Sequence, residues 1–210
     1  MKGILTVISG FSGSGKGTII KELLSKYDYA LSISATTRSP REGEIDGVHY
    51  HFLTQEDFEN MIEKSELIEW AKYVDNYYGT PKAFVEKQLD EGKDVILEIE
   101  VQGGMLVKEK FPEALLIFVT PPSAEVLRER LVGRGTESEE VIDKRIAMAY
   151  TESDSMNNYD YIVVNDTLDE AVNNVHNIIS MQHLRADKSG GIINNIQMQL
   201  EEMKRGIQNE

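Results

Sequence analysis

The stretch Gly10-Phe11-Ser12-Gly13-Ser14-Gly15-Lys16-Gly17-Thr18 constrains the fold of this chain more than any other. An apolar run, Ile4 to Ile8, precedes it and reads as a buried strand, and Ile19, Ile20, Leu23 and Leu24 follow at helical spacing. A glycine-rich turn between a strand and a helix is the setting in which a backbone can cradle phosphate. Glycines let the chain curl so that successive N–H groups converge on an anion, and the new helix adds unpaired N–H groups and the positive end of its dipole. Lys16 supplies a mobile full charge for the outer phosphates. The usual pattern has Ser or Thr directly after the lysine; here that slot is Gly17, and the hydroxyl comes one residue later at Thr18. The loop implies a bound nucleotide and leaves the reaction open.

At 210 residues the chain suits one domain, or one with inserted subdomains. Its net charge of −14 argues against nucleic acid as partner, because binders of a phosphate backbone show a basic footprint. A small phosphorylated ligand needs only a local arginine cluster. With no cysteine there is no disulfide framework, thiol nucleophile or cysteine metal site, which fits a reducing, cytoplasmic setting. Lys2 with Ile4 to Ile8 is too short for a secretory leader and passes straight into the glycine loop. No stretch approaches the roughly 20 apolar residues of a membrane span.

Four apolar runs recur: Ile4 to Ile8, Val95 to Ile99, Leu115 to Val119 and Tyr161 to Val164. Each leads into a helical pattern. Met105, Leu106 and Phe111 follow the second. Ser123 caps a helix striped by Val126, Leu127 and Leu131, and Thr167 with Glu170 forms a capping box before a last amphipathic helix. Near-continuous apolar strands alternating with helices predict an α/β fold whose parallel sheet is covered on both faces. Ligands then bind beyond the carboxyl ends of the strands. From Ser34 to about Pro81 the pattern breaks. His49 to Leu53 alternates, Thr54 caps a short helix, and Leu67 to Val74 reads extended, which predicts a small insert with its own antiparallel strands. Gly133 to Thr136 places Arg134 in a glycine-flanked loop before a helix capped by Thr136 and Glu139, the design of a mobile lid. From about Arg185 a tail carries Ile192, Ile196, Leu200, Met203 and Ile207 at helical spacing, read as a terminal helix packed on the body in preference to a partner-binding helix.

The insert opens with Ser34-Ala35-Thr36-Thr37-Arg38-Ser39-Pro40-Arg41, then Glu42-Gly43-Glu44 and Gly47-Val48-His49-Tyr50. Glu69, Tyr78-Gly79-Thr80, Glu98-Ile99-Glu100-Val101-Gln102-Gly103, Gly133-Arg134-Gly135-Thr136, Lys144-Arg145 and Val164-Asn165-Asp166 follow in order. With the glycine loop, this set closely resembles the guanylate kinases from about Leu5 to His183. The resemblance implies a P-loop fold over 1–184, with core 1–33 and 82–184, a GMP-binding insert 34–81, a lid at about 133–145, and a helical tail 185–210. It implies transfer of the ATP γ-phosphate to GMP, with magnesium, in the recycling of GMP and dGMP; a homo-oligomer is compatible with it.

By that resemblance, Gly10 to Thr18, Arg134 and Asn165 hold ATP. Ser34, Arg38, Arg41, Glu44, Tyr50, Glu69, Tyr78, Thr80, Glu98, Glu100 and Arg145 surround GMP. Lys16, Arg41, Arg134 and Arg145 neutralise the transferring group. The residue chemistry is in keeping. Paired guanidinium forks suit bidentate phosphate recognition. Guanine offers N1–H and N2–H₂ to a carboxylate such as Glu69, whereas adenine presents an acceptor that a carboxylate repels. Glu98 and Glu100 end a buried strand, where charge needs a partner or a task, and the resemblance sets Glu98 in the magnesium region. Without a hydroxyl at position 17, magnesium is expected to be held mainly through phosphates and water. His49 and His51 alternate along a strand without a third ligand and read as a strand face. Two rivals stand beside this reading: another nucleoside monophosphate kinase, and a non-catalytic binding module of the same fold.

Overall fold

The computed structural model describes residues 2–73, 75–133, 135 and 138–208. In chain order its strands are β1 (Leu5–Gly10), β2 (Ala30–Ser32), β3 (Ala35–Thr36), β4 (His51–Phe52), β5 (Leu67–Tyr73), β6 (Asn76–Pro81), β7 (Val95–Glu98), β8 (Leu115–Thr120) and β9 (Tyr161–Val164). The helices are α1 (Lys16–Lys26), α2 (Gln55–Glu63), α3 (Lys82–Asp90), α4 (Val101–Lys110), α5 (Ala124–Gly133), α6 (Glu139–Ser153), α7 (Leu168–Gln182) and α8 (Gly190–Gln208). The main sheet runs β2-β7-β1-β8-β9, and every pairing in it is parallel. All five carboxyl ends therefore lie on one rim.

Alternation along the strands feeds two separate cores. Leu5 and Val7 of β1, Leu97, Leu116 and Phe118 face one side, where α3, α4, α5 and α6 contribute Val85, Val107, Leu127 and Ile142. Ile8, Ile96, Ile117 and Val119 face the other side, against Ile19 and Leu23 of α1 and Val172, Val175 and Ile179 of α7. This is the parallel sheet flanked by helices that the apolar runs predict. The first core is tightened by Phe118, which meets Phe11 edge-on at 5.0 Å and Tyr159 at 5.1 Å.

Several details differ from the sequence reading. β2 and α3 are not announced by any long apolar run; β2 has only three residues and pairs on one side, with β7. β9 is not covered on both faces: it is an edge strand, with Ile162 and Val164 exposed and Val163 buried. The insert carries a second sheet, β4-β3-β6-β5, and it is mixed rather than antiparallel, because the long connection through 37–50 brings β4 back parallel to β3. A third apolar cluster, Ala35, Phe58 and Leu67, lies beneath it. Thr54 caps α2 as expected, accepting from the Asp57 amide at 3.1 Å. At α7, Thr167 holds the N-cap position, but its hydroxyl donates to the Glu170 carboxylate at 2.9 Å rather than capping a backbone amide. α6 begins after Ser138, and Thr136 lies outside the described residues. The tail helix α8 does not pack on the body: Ile192, Ile196, Leu200, Met203 and Ile207 are all exposed.

Candidate active site

The phosphate loop begins where β1 ends. Gly10 has φ 147°, and a methyl there would lie 2.0 Å from the Val119 carbonyl of β8, so only glycine lets the two strands pair up to the turn. Gly15 takes the left-handed N-cap position of α1, and a methyl on it would strike Asn165 Nδ2. The loop closes on itself through Ser14 N–H donating to the Phe11 carbonyl at 3.0 Å. Lys16 Nζ rests on the loop, donating to the Gly10 carbonyl at 2.5 Å and the Phe11 carbonyl at 3.2 Å. Gly17 and Thr18 open α1 and are exposed.

Three side chains brace this loop from outside. Asn165, carried past the end of β9, donates to the Ser14 carbonyl at 2.8 Å. Arg130, in the last turn of α5, donates to the Ser14 carbonyl at 3.3 Å and the Asn165 carbonyl at 2.8 Å. Arg145 of α6 donates to Ser12 Oγ at 2.5 Å. The sequence reading names Asn165 and Arg145 but not Arg130, whose only local signal is a basic residue near a helix C-terminus. Arg134 lies outside the described residues.

Acids stand opposite the loop. Glu98 ends β7 beside Gly17, where a methyl at 17 would sit 3.6 Å from Glu98 Oε1. Its tip reaches solvent, yet the surrounding protein removes enough water to push its carboxyl above the ordinary range, against the pull of Lys16. Glu100 is the N-cap residue of α4. Glu152 of α6, which no sequence motif marks, joins them: burial pushes its carboxyl up to about 7, the Glu100 charge adds to this and Lys16 opposes it.

The insert brings the second group together. Arg38 makes a two-pronged ion pair with Glu44, both N···O distances 2.9 Å, and Glu44 also accepts from the Arg41 backbone N–H at 2.6 Å. Arg38 thereby holds the Glu44 carboxyl down to about 2. The guanidinium lies 5.5 Å from the centre of the Tyr50 ring, and Tyr50 meets Tyr78 edge-on at 6.2 Å. Tyr50 also feels the charges of Glu98 and Glu100, so the insert faces the rim that carries those acids. Ser34 precedes β3 and is half-buried.

Glu69 is the buried acid of the insert, only 4% exposed. Burial pushes its carboxyl up, while the Thr80 hydroxyl, donating to Oε1 at 2.7 Å, and the Lys110 charge oppose the shift. Its other oxygen lies against α4, where a methyl on Gly103 would come to 3.2 Å of Oε2. Lys110 of α4 donates to the Ile68 carbonyl at 3.0 Å and ties the helix to β5. Chemically, the arrangement pairs a polyphosphate cradle with an anion site and a buried acceptor for a base edge.

Known proteins share this arrangement of the chain. The guanylate kinase family model matches residues 2–182. The chain is 54% identical over 189 residues to the guanylate kinase of Caldanaerobacter subterraneus subsp. tengcongensis, covering 90% of this chain and 92% of that protein. It is 53% identical to that of Halalkalibacterium halodurans, covering 89% and 92%. Among solved structures, the guanylate kinase from Anaplasma phagocytophilum is similar at a TM-score of 0.73 and 30% identity, with 89% of each chain covered.

Proposed function

This chain belongs to the guanylate kinase family, and from that membership we infer an ATP:GMP phosphotransferase that releases ADP and GDP. The observation that carries the choice of acceptor is Glu69, a buried carboxylate already oriented by Thr80. Guanine can give it N1–H and N2–H₂; a base without those donors leaves it buried and unpaired, which costs such a site affinity by orders of magnitude.

In the reaction an oxygen of the GMP phosphate attacks the γ-phosphorus, a new O–P bond forms, and the bond to the β–γ bridging oxygen breaks as ADP leaves. Alignment and charge neutralisation do most of the work. The amides of Gly13 and of Gly15 to Thr18 hold the donor phosphates, and Lys16 turns from the Gly10 and Phe11 carbonyls onto them. Arg38 and Arg41, with Tyr50 and Tyr78, hold the acceptor phosphate; Glu44 presets the Arg38 fork. Ser34 donates to the guanine O6, with Thr80 nearby keeping its hydroxyl hydrogen on Glu69, and Glu100 attends a further guanine edge. Arg145, beside Ser12, neutralises the group in flight together with Arg41 and Arg134.

Magnesium, when bound with ATP, supplies positive charge to the β- and γ-phosphate oxygens. The donor set fits a metal held mainly by phosphates and water: Glu98 stands beside the loop, position 17 offers no hydroxyl, and no cluster of three metal-ligating side chains occurs among the described residues. In the same proposal, the insert 34–81 closes over GMP and the segment at about 133–145 over ATP, excluding water as a competing acceptor. Turnover of dGMP and a cytoplasmic setting complete it. No helix among the described residues is long and apolar enough to cross a membrane.

The test is ADP formation from magnesium-ATP with GMP, AMP, UMP or no acceptor. Turnover with GMP alone is expected. Comparable turnover with AMP would mean that Glu69 does not select the base, and none with any acceptor, in folded protein, would favour a binding module.

A further inference from the structure

α8 carries an apolar face that the nucleotide chemistry does not use. Ile193, Ile196, Leu200, Met203 and Ile207 recur at steps of three, four, three and four residues, the a and d spacing of a helix that packs along another helix. They are 40% to 76% exposed. The match to the family model ends at residue 182, and α8 begins at Gly190, so this surface is separate from the kinase body. A single helix of 19 residues that opens on two glycines is marginal in water, because helices draw most of their stability from covering an apolar face.

Charge identifies the occupant. Glu201, Glu202, Lys204 and Arg205 cancel within α8, whereas the chain as a whole carries −14. The positions flanking the seam are Ile192, Gln197, Gln199, Lys204 and Gly206, with no acid among them. An anionic lipid surface, which is bound through a basic polar face, finds no net charge here to attract it. A second α8 finds a seam of its own pitch and flanks that do not repel it. We propose that α8 pairs with α8 of a second copy of this chain, in antiparallel orientation. Antiparallel pairing layers Ile193 and Leu200 of one copy against Met203 and Ile196 of the other and sets glutamine beside glutamine along the edges. It also places the two acidic bodies at opposite ends of a helix roughly 28 Å long, where parallel pairing would crowd them at one end.

The test uses the full chain and does not depend on the kinase assignment. In sedimentation equilibrium the mass should rise from 23.7 kDa toward twice that value across the micromolar range. Leu200→Asp should stay monomeric with an unchanged thermal unfolding transition, which verifies a folded body, and Glu202→Gln, off the seam, should still dimerise. The chain has no cysteine, so one substitution introduces a unique thiol. Gln199→Cys, at an edge that faces its twin only in the antiparallel pair, should form a disulfide dimer on mild oxidation, and Ile193→Cys should not. A full chain that stays monomeric, whether α8 then covers its own body or a lipid surface, overturns the proposal. So does dimerisation of Leu200→Asp, or cross-linking through Ile193→Cys in place of Gln199→Cys.

Discussion

Glu152→Gln should change how the stability of this protein depends on pH, with a magnitude set by its surroundings. The Glu152 carboxyl stands at about 7 instead of 4.5 because α6 holds it half-buried near Glu100, with Lys16 compensating only in part. A folded pKa above the unfolded one favours the folded state while the group stays protonated in both. That contribution is intact below about pH 4.5 and is lost as pH rises through about 7. Full ionisation of such a group costs about 3 kcal/mol, and water reaching a half-buried side chain reduces this to about 2 kcal/mol. Glutamine keeps the shape and has no charge to desolvate. In thermal unfolding without nucleotide, the variant should match the wild type near ~pH 5 and exceed it by about 4–8 °C near ~pH 8. General acidic repulsion acts on both proteins alike, so the difference of differences isolates this one carboxyl. An equal gap at the two pH values would refute the reasoning.

Lys16→Ala should lower kcat for ADP formation about 10³-fold in protein that still unfolds cooperatively, since it removes a transition-state charge, while the lost bonds to the Gly10 and Phe11 carbonyls lower the melting temperature only modestly. Glu69→Gln should cut kcat/KM for GMP by about 10³-fold or more, because the amide turns N–H groups toward the N–H edge of guanine; the ratio of GMP to AMP turnover reads this out. Gly103→Ala should raise KM for GMP several-fold and leave KM for ATP alone, as the new methyl shifts Glu69 Oε2, 3.2 Å away, by a few tenths of an ångström. Arg130→Met should do the reverse, raising KM for ATP by releasing the brace on Ser14 and Asn165.

The candidate site was legible in the sequence wherever its logic is local. Gly10 to Thr18 run from the end of one strand through one turn into the start of one helix, so spacing alone announces the cradle. The short apolar runs announce the sheet for the same reason. β2 escapes because three residues at an edge leave no periodicity. Arg130 and Glu152 escape because each acquires its role only when α5 or α6 folds over the loop; the Arg130 bond to Ser14 spans 116 residues. The ordered motif set supplies Glu69, Arg38 and Tyr78, whereas the Arg38–Glu44 ion pair becomes visible only in three dimensions. The tail shows the opposite limit. Periodicity identifies the apolar face of α8 correctly but not what covers that face.

The missing side chain at Gly10 fixes more than a turn. With the chain pressed against the Val119 carbonyl, the start of the phosphate cradle is welded to the two central strands and shares their stiffness. Glu69 lies in another sheet and Arg38 in the connection 37–50 that follows its strand β3, and that sheet meets the first body where Glu69 and the Ile68 carbonyl touch α4. In the proposed function the donor therefore sits on the first sheet, like a surveyor's datum, and the acceptor on the second. On that proposal the gap between the reacting oxygen and phosphorus depends on how the two sheets are tilted as well as on single rotamers. Damage far from the nucleotides, at Phe58 beneath the second sheet for example, should surface as misalignment with both binding sites chemically whole.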